Sequence, residues 1–173
     1  MEAEVHILEQ YFQLVRKWFT MTNLRFRNNK EADLQVLDHR KGRYWHVESR
    51  VTEAYHMTLK ETKTSEGKPH RRGIDYFIKT KFEDPNVVEG IRAITGTRRY
   101  GKILVILSVA EREKRQFIRE ARRHGILVMF MSEIIDELVG ADLSGIRDDV
   151  IRTINLAQTA LTKGLESSGP FVS

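Results

Sequence analysis

Apolar and polar residues follow two different periods in the first third of the chain. Apolar residues spaced three and four apart cover residues 5–19, which predicts an amphipathic helix. A short strand at 24–27 and an Asn-Asn turn at 28–29 are predicted next. From 32 to 52 the period changes to two, with a Gly-containing polar loop at 39–42. Two alternating runs joined by a short loop predict a β-hairpin.

The second half of the chain predicts helices that alternate with buried strands. Asp84-Pro85 is typical of a helix start, because Asp caps a helix and Pro is tolerated at its first position. Residues 103–109 and 126–131 are nearly continuous apolar runs, as expected of strands covered on both faces. One predicted helix begins at Asp84-Pro85, and three more are predicted at 111–124, 132–138 and 146–165. This order predicts an α/β fold, a mixed central sheet with an N-terminal antiparallel hairpin and flanking helices.

A polar stretch at 53–81, rich in Lys and Arg, interrupts the pattern. We predict a basic loop or arm here, with a short strand at 76–78. Loops of this length inside a compact domain are usually functional or disordered. The predicted organisation is therefore one α/β domain at 1–140 that carries this arm, followed by a C-terminal helix with a frayed tail at 141–173.

Composition narrows the class of protein. Of the 173 residues, 40% are hydrophobic, which is enough for a core, and 31% are charged, with a net charge of +5. The positive excess permits a polyanionic partner. The absence of cysteine excludes disulfide scaffolds, thiolate zinc sites and cysteine nucleophiles. No apolar run approaches the ~18 residues that span a membrane, and the N-terminus lacks a signal-peptide layout. We therefore expect a cytoplasmic protein with no membrane partner.

The hairpin places the candidate chemistry on one face of the sheet. If Asp38 pairs with Arg43, alternation of side chains puts Asp33 directly opposite Glu48, while the apolar residues share the other face. Like charges directly opposed across two strands are destabilising. A cation between them would remove that cost, and carboxylate oxygens with water suit Mg²⁺ or Mn²⁺. Arg50 is expected on the same face, where it could hold a phosphate.

At these residues the chain resembles the PD-(D/E)XK, or restriction-endonuclease-like, nuclease superfamily. The matching residues are Asp33 and Glu48-Ser49-Arg50, with Glu9 as the acid of the first helix. In element order it is similar to the Mrr-type and archaeal resolvase-like branches. The resemblance implies catalytic roles for Asp33, Glu48, Arg50 and Glu9. It also implies that Asp33, Glu48 and the carbonyl of Ser49 hold Mg²⁺ or Mn²⁺.

One position departs from the family pattern, because Arg50 stands where the family has lysine. Arginine, with a pKa above ~12, cannot act as a base, although it can stabilise charge on a phosphate. Some members of the family carry the lysine elsewhere, and Lys79, Lys81 and Lys102 are candidates for that role. Other members have lost activity and only bind nucleic acid.

The resemblance implies a metal-dependent endonuclease that hydrolyses DNA as a homodimer, with RNA left open as a substrate. Apolar residues of the last predicted helix, Ile151, Ile154 and Leu161, are available for a dimer interface. Lys and Arg clusters bind phosphates without regard to sequence, although they also occur as solvated loops. The candidate nucleic-acid contacts are His46, His70, Arg71, Arg72, Arg98 and Arg99. Two alternatives stay open: an inactive nucleic-acid-binding module on the same fold, and a structural or assembly protein.

Overall fold

The computed structural model describes residues 3–51, 57–60, 62–63, 69–71, 73–141, 148–149, 151–154 and 156, with the side chains of 62–63 and 69–71 left out. The strands are β1 (Phe19–Arg25), β2 (Glu31–Asp38), β3 (Arg43–Arg50), β4 (Thr62–Lys63), β5 (Pro69–Arg71), β6 (Gly101–Ile106) and β7 (Ile126–Phe130). The helices are α1 (Ala3–Gln10), α2 (Ile74–Phe77), α3 (Pro85–Thr95), α4 (Glu111–Arg123) and α5 (Met131–Gly140). Helices α1 and α2 continue as π-helical turns at Tyr11–Val15 and Ile78–Phe82, and a 3-10 turn covers Arg27–Asn29.

Five strands form one mixed sheet in the order β1-β2-β3-β6-β7. The first three pair antiparallel, and β6 and β7 are added parallel to β3. Strands β4 and β5 form a separate two-stranded ribbon. The fold is therefore α/β with a mixed sheet, as the sequence predicts. Among the described helices, none is both long and apolar enough to cross a lipid bilayer.

Helices cover both faces of the sheet, and each face has its own core. On the first face α1 and α5 pack on apolar residues of β2, β3 and β6, such as Leu34, Val47 and Ile103. On the second face α2, its π-helical turn and α4 pack on Leu104 and Ile106. Strand β6 contributes to both cores, which explains its nearly continuous apolar sequence.

Local signals set the ends of several elements. The Asp84 side chain accepts a hydrogen bond from the Asn86 backbone N–H and caps α3, with Pro85 at the first helical position as predicted. The helix ends at Gly96, whose φ of 68° is in the left-handed region that favours glycine. Inside α3, a Cβ atom at Gly90 would lie 2.2 Å from the Phe26 ring, so only glycine permits this close approach.

Three predicted elements are wrong in detail. The strand predicted at 24–27 instead covers Phe19–Arg25 as β1. The first helix with its π-helical turn ends at Val15, and Phe19 instead begins β1 with 66% of its surface exposed. The predicted strand at 76–78 is helical, because Ile74, Phe77 and Phe82 all turn into the second core. The predicted arm therefore ends before Ile74. Of this arm, residues 53–56, 61, 64–68 and 72 lie outside the described residues.

Candidate active site where the hairpin strands separate

The hairpin has the predicted register over most of its length. Pairing runs from Asp38 opposite Arg43 to Leu34 opposite Val47. In the described ladder it stops there, so the predicted opposition of Asp33 and Glu48 is not a ladder pair. Beyond that point β2 pairs with β1, and β3 stays paired with β6.

The Asp33 side chain bridges the gap between the separating strands. The backbone N–H of Ser49 donates to Asp33 Oδ2 at 2.7 Å. This contact ties the start of β2 to the end of β3, next to Glu48. The acid pair thus lies near the carboxyl ends of the parallel strands β3 and β6, the edge where open α/β sheets commonly bind ligands.

Glu48 is the buried centre of the site. The residue is 0% exposed, and each of its two carboxylate oxygens has a charged or polar neighbour. His46 Nε2 lies 2.7 Å from Glu48 Oε1. Lys81 Nζ lies 3.1 Å from Glu48 Oε2, an ion-pair distance. A buried carboxylate needs such partners, since an isolated buried charge is very costly.

Lys81 reaches the site from the π-helical turn that follows α2. Such turns are rare and are frequently found at functional sites. Burial acts to lower the pKa of Lys81, but the charges of Glu48 and Asp33 outweigh it and raise that pKa above its ordinary value. Lys81 is therefore a cation at neutral pH. It is the candidate lysine that the described structure brings to Glu48, whereas Lys79 is exposed.

The site offers hard oxygen ligands together with a positive charge. Asp33, Glu48 and the Ser49 carbonyl can supply oxygen ligands to a divalent cation, which is the chemistry that Mg²⁺ and Mn²⁺ prefer. The Lys81 ammonium shows that Glu48 already tolerates a cation at 3.1 Å. Among the described residues, no group of three or more His, Asp or Glu side chains is arranged to hold a metal ion. Any metal here would therefore keep much of its hydration.

Beneath Glu48 lies a buried polar pair, of which the sequence predicts a functional role for His46 but not for Gln35. Gln35 lies opposite His46 in the ladder, and both side chains are almost fully buried. In the described part of the chain, His46 Nδ1 and both polar atoms of the Gln35 amide lack a hydrogen-bond partner. Alternation of side chains along the two strands already predicts Gln35 and His46 on the same face as Asp33 and Glu48. This alternation is the sequence signal that could have identified Gln35.

Two of the residues predicted to be catalytic do not join the described cluster. Glu9 contacts His6, Gln13 and Thr20 instead. Thr20 is opposite Val36, a residue of the first core, so Glu9 lies on the face of the sheet away from Glu48. Arg50 is exposed at the end of β3, where the site opens to solvent.

The predicted nucleic-acid contacts are scattered. His46 is 0% exposed, so it cannot touch a nucleic acid directly. Arg98 pairs with Glu89, and Arg98 and Arg99 precede β6 at the opposite end of the sheet from Glu48. His70 and Arg71 are described only as backbone of β5, and Arg72 lies outside the described residues.

The residues predicted for a dimer interface also do not form one exposed surface in the described part of the chain. Ile151 is buried in the first core, so it is not available for an interface. Ile154 is half-buried, and Leu161 lies outside the described residues.

Comparison of the chain with protein-family models, with curated proteins and with solved structures found no significant match.

Proposed function

We propose that this protein is a metal-dependent nuclease of restriction-endonuclease-like fold that hydrolyses phosphodiester bonds in DNA. The observation that carries the proposal is the convergence of Asp33, Glu48 and Lys81 at the point where β2 and β3 separate. Two carboxylates of the hairpin and a lysine ammonium that reaches them from the π-helical turn form the constellation that the family resemblance implies. The mixed sheet, with β6 and β7 added parallel to the hairpin, agrees with the same resemblance.

In this proposal Lys81 takes the role of the family's motif lysine, because Arg50 occupies the motif position in this chain. Its raised pKa keeps it protonated at neutral pH, so it acts as an electrostatic stabiliser of the scissile phosphate and not as a base. Arg50 is exposed at the mouth of the site, where it can contact a neighbouring phosphate. Lys81 and Arg50 thus share the role that the single lysine has in the family motif.

The carboxylates and the substrate then have defined roles. Asp33, Glu48 and the Ser49 carbonyl would hold the divalent cation. When bound, Mg²⁺ supplies a Lewis acid that makes water more acidic and stabilises charge on the phosphate. A water oxygen forms the new bond to phosphorus while the bond to the leaving nucleoside oxygen breaks; the water gives up a proton to solvent, and the leaving oxygen takes one from solvent. The products are a phosphate monoester and a hydroxyl group.

A cleavage assay tests this function. Plasmid, linear and branched DNA, with an RNA control, are incubated with Mg²⁺, Mn²⁺ or EDTA. We expect metal-dependent cleavage that Asp33→Asn, Glu48→Gln and Lys81→Met reduce by at least about 100-fold, the scale of losing one preorganised electrostatic contact. Asp75→Asn and Lys79→Met are matched controls, since both residues are exposed on the same helical segment. Cleavage that survives in the Asp33 and Glu48 variants would contradict the proposal.

One observation favours the alternative of an inactive nucleic-acid-binding module. Both oxygens of Glu48 already have close partners, His46 and Lys81, so a metal ion has to compete with the ammonium. Salt-sensitive DNA binding without cleavage in any metal would support this alternative. Absence of both binding and cleavage would leave a structural or assembly role. The proposed homodimer is tested separately by sedimentation of the full chain.

A further inference from the structure

Three buried polar side chains lie in sequence behind the proposed metal site. Gln35 and His46 are direct partners across β2 and β3, and His46 contacts Glu48 at 2.7 Å. Gln35 is 2% exposed, and His46 and Glu48 are both 0% exposed. We propose that Gln35 and His46 form a buried relay that positions the Glu48 carboxylate, with Glu48 fixing the tautomer of His46 and Gln35 supporting it at Nδ1. Only the metal measurement below rests on the proposed nuclease function.

The chemistry of the three groups determines the direction of the relay. A carboxylate only accepts hydrogen bonds, so Nε2 of His46 carries the hydrogen that faces Glu48. In a neutral imidazole the other nitrogen, Nδ1, is then an acceptor that needs a donor. The Gln35 amide is the polar group placed opposite it in the ladder.

Burial makes that hydrogen bond necessary. In the described residues, Nδ1 of His46 and both amide atoms of Gln35 have no hydrogen-bond partner, one another included. Buried polar groups in native proteins are almost all hydrogen-bonded, either directly or through ordered water. Directly opposed Cβ atoms lie about 4.5–5.5 Å apart, within reach of such a contact. The two groups make no direct hydrogen bond, so the Gln35 amide N–H donates to one buried water, which in turn donates to Nδ1.

The surrounding rings hold the relay in place. Phe82 lies 5.0 Å and Tyr100 6.3 Å from the His46 ring, measured between ring centroids. Because Phe82 follows Lys81, one π-helical turn contacts both the His46 ring and the second oxygen of Glu48. The plane of the Glu48 carboxylate is thus set from both sides. Neither Gln35 nor His46 reaches a substrate, so both are positioning residues.

The tautomer is measured by two-bond ¹H–¹⁵N NMR correlations on the full chain labelled at histidine. We expect His46 to carry its proton on Nε2 alone, with the Nδ1 resonance shifted by an accepted hydrogen bond. Gln35→Leu should move the Nδ1 resonance toward that of exposed His39 in the same spectrum. A proton on Nδ1, or a ring unaffected by Gln35→Leu, would overturn the relay.

Metal affinity tests the positioning role. Loss of an outer hydrogen bond to a metal ligand typically weakens metal binding 10–100-fold. We expect Gln35→Leu and His46→Phe to weaken Mn²⁺ binding by that factor in calorimetry without nucleic acid. His46→Gln, which keeps an N–H donor toward Glu48, should recover part of the loss. Gln13→Leu and His39→Phe replace exposed residues of the same types and should bind like the unmodified chain.

The outcomes separate this inference from the proposed function. A chain that binds no Mn²⁺ refutes the proposed metal site, while the NMR result still decides the relay. Folded variants that bind Mn²⁺ as tightly as the unmodified chain would overturn the positioning role. If His46→Phe does not fold, His46→Gln and Gln35→Leu carry the same comparison.

Discussion

Replacement of Lys81 by methionine tests the charge balance at the centre of the site. Methionine keeps the apolar stem but removes the ammonium 3.1 Å from Glu48 Oε2. At that distance and an effective dielectric constant of about 20, the gross attraction is about 5 kcal/mol. Desolvation offsets roughly half of it, because the Lys81 side chain is only 23% exposed. We expect Lys81→Met to lower the free energy of unfolding by about 2–3 kcal/mol at pH 7.

A double-mutant cycle isolates the contribution of this ion pair. In Glu48→Gln the buried charge is absent, so Lys81→Met should cost less in that background, with a coupling energy of about 1–3 kcal/mol. Urea unfolding followed by Trp18 and Trp45 fluorescence gives the four stabilities, since both rings pack on the first core. Lys79→Met should change stability by less than about 0.5 kcal/mol. A coupling energy below about 0.5 kcal/mol would contradict a stabilising ion pair between Lys81 and Glu48.

The same pair has a defined pH dependence. The folded-state pKa of Lys81 is raised from its ordinary 10.5, so its stabilisation is present below that pH and is lost as pH rises through the folded pKa. The stability difference between the unmodified chain and Lys81→Met should therefore stay constant from pH 7 to about 10 and shrink only above that range. A difference that already vanished near neutral pH would contradict this sign.

The remaining predictions concern the fold. Gly90→Ala places a Cβ atom 2.2 Å from the Phe26 ring and should destabilise the protein by about 1–3 kcal/mol in thermal unfolding. Asp84→Ala removes the α3 cap and should cost about 1 kcal/mol at pH 7. The hydrogen bond from Lys30 lowers the pKa of Asp84, so that cost should decline as pH falls below the ordinary value of 3.8. Phe19→Ser, at an exposed position, should change stability by less than about 0.5 kcal/mol, whereas a core position in a helix would cost far more.

Several features of the fold follow from local sequence. The change to a period of two and the Gly-containing loop determine the hairpin register, which the structure confirms from Asp38–Arg43 to Leu34–Val47. The start of α3 at Asp84-Pro85 is equally local, because a cap acts on its own first turn. The apolar run of β6 requires cover on both faces, and the structure supplies it.

The errors in the predicted elements arise where the average composition of a segment hides the spacing of its apolar residues. Residues 53–81 are polar on average, yet Ile74, Phe77, Ile78 and Phe82 are spaced as on a helix. Read by spacing instead of composition, these residues predict the helical segment that covers the second face. Phe19 fits the spacing of the first helix, but the chain leaves that helix at Val15, and no local signal marked the change.

What the sequence alone determined is the acidic face of the hairpin, because strand alternation is a local rule that places Asp33, Gln35, His46 and Glu48 without reference to the rest of the chain. Only the tertiary structure decided which basic group meets these acids. Packing of Ile78 and Phe82 on the second face brings Lys81 to Glu48, while the docking of α1 on the first face takes Glu9 away. These outcomes depend on which helix covers which face of the sheet, and burial of apolar surface across distant segments makes that choice.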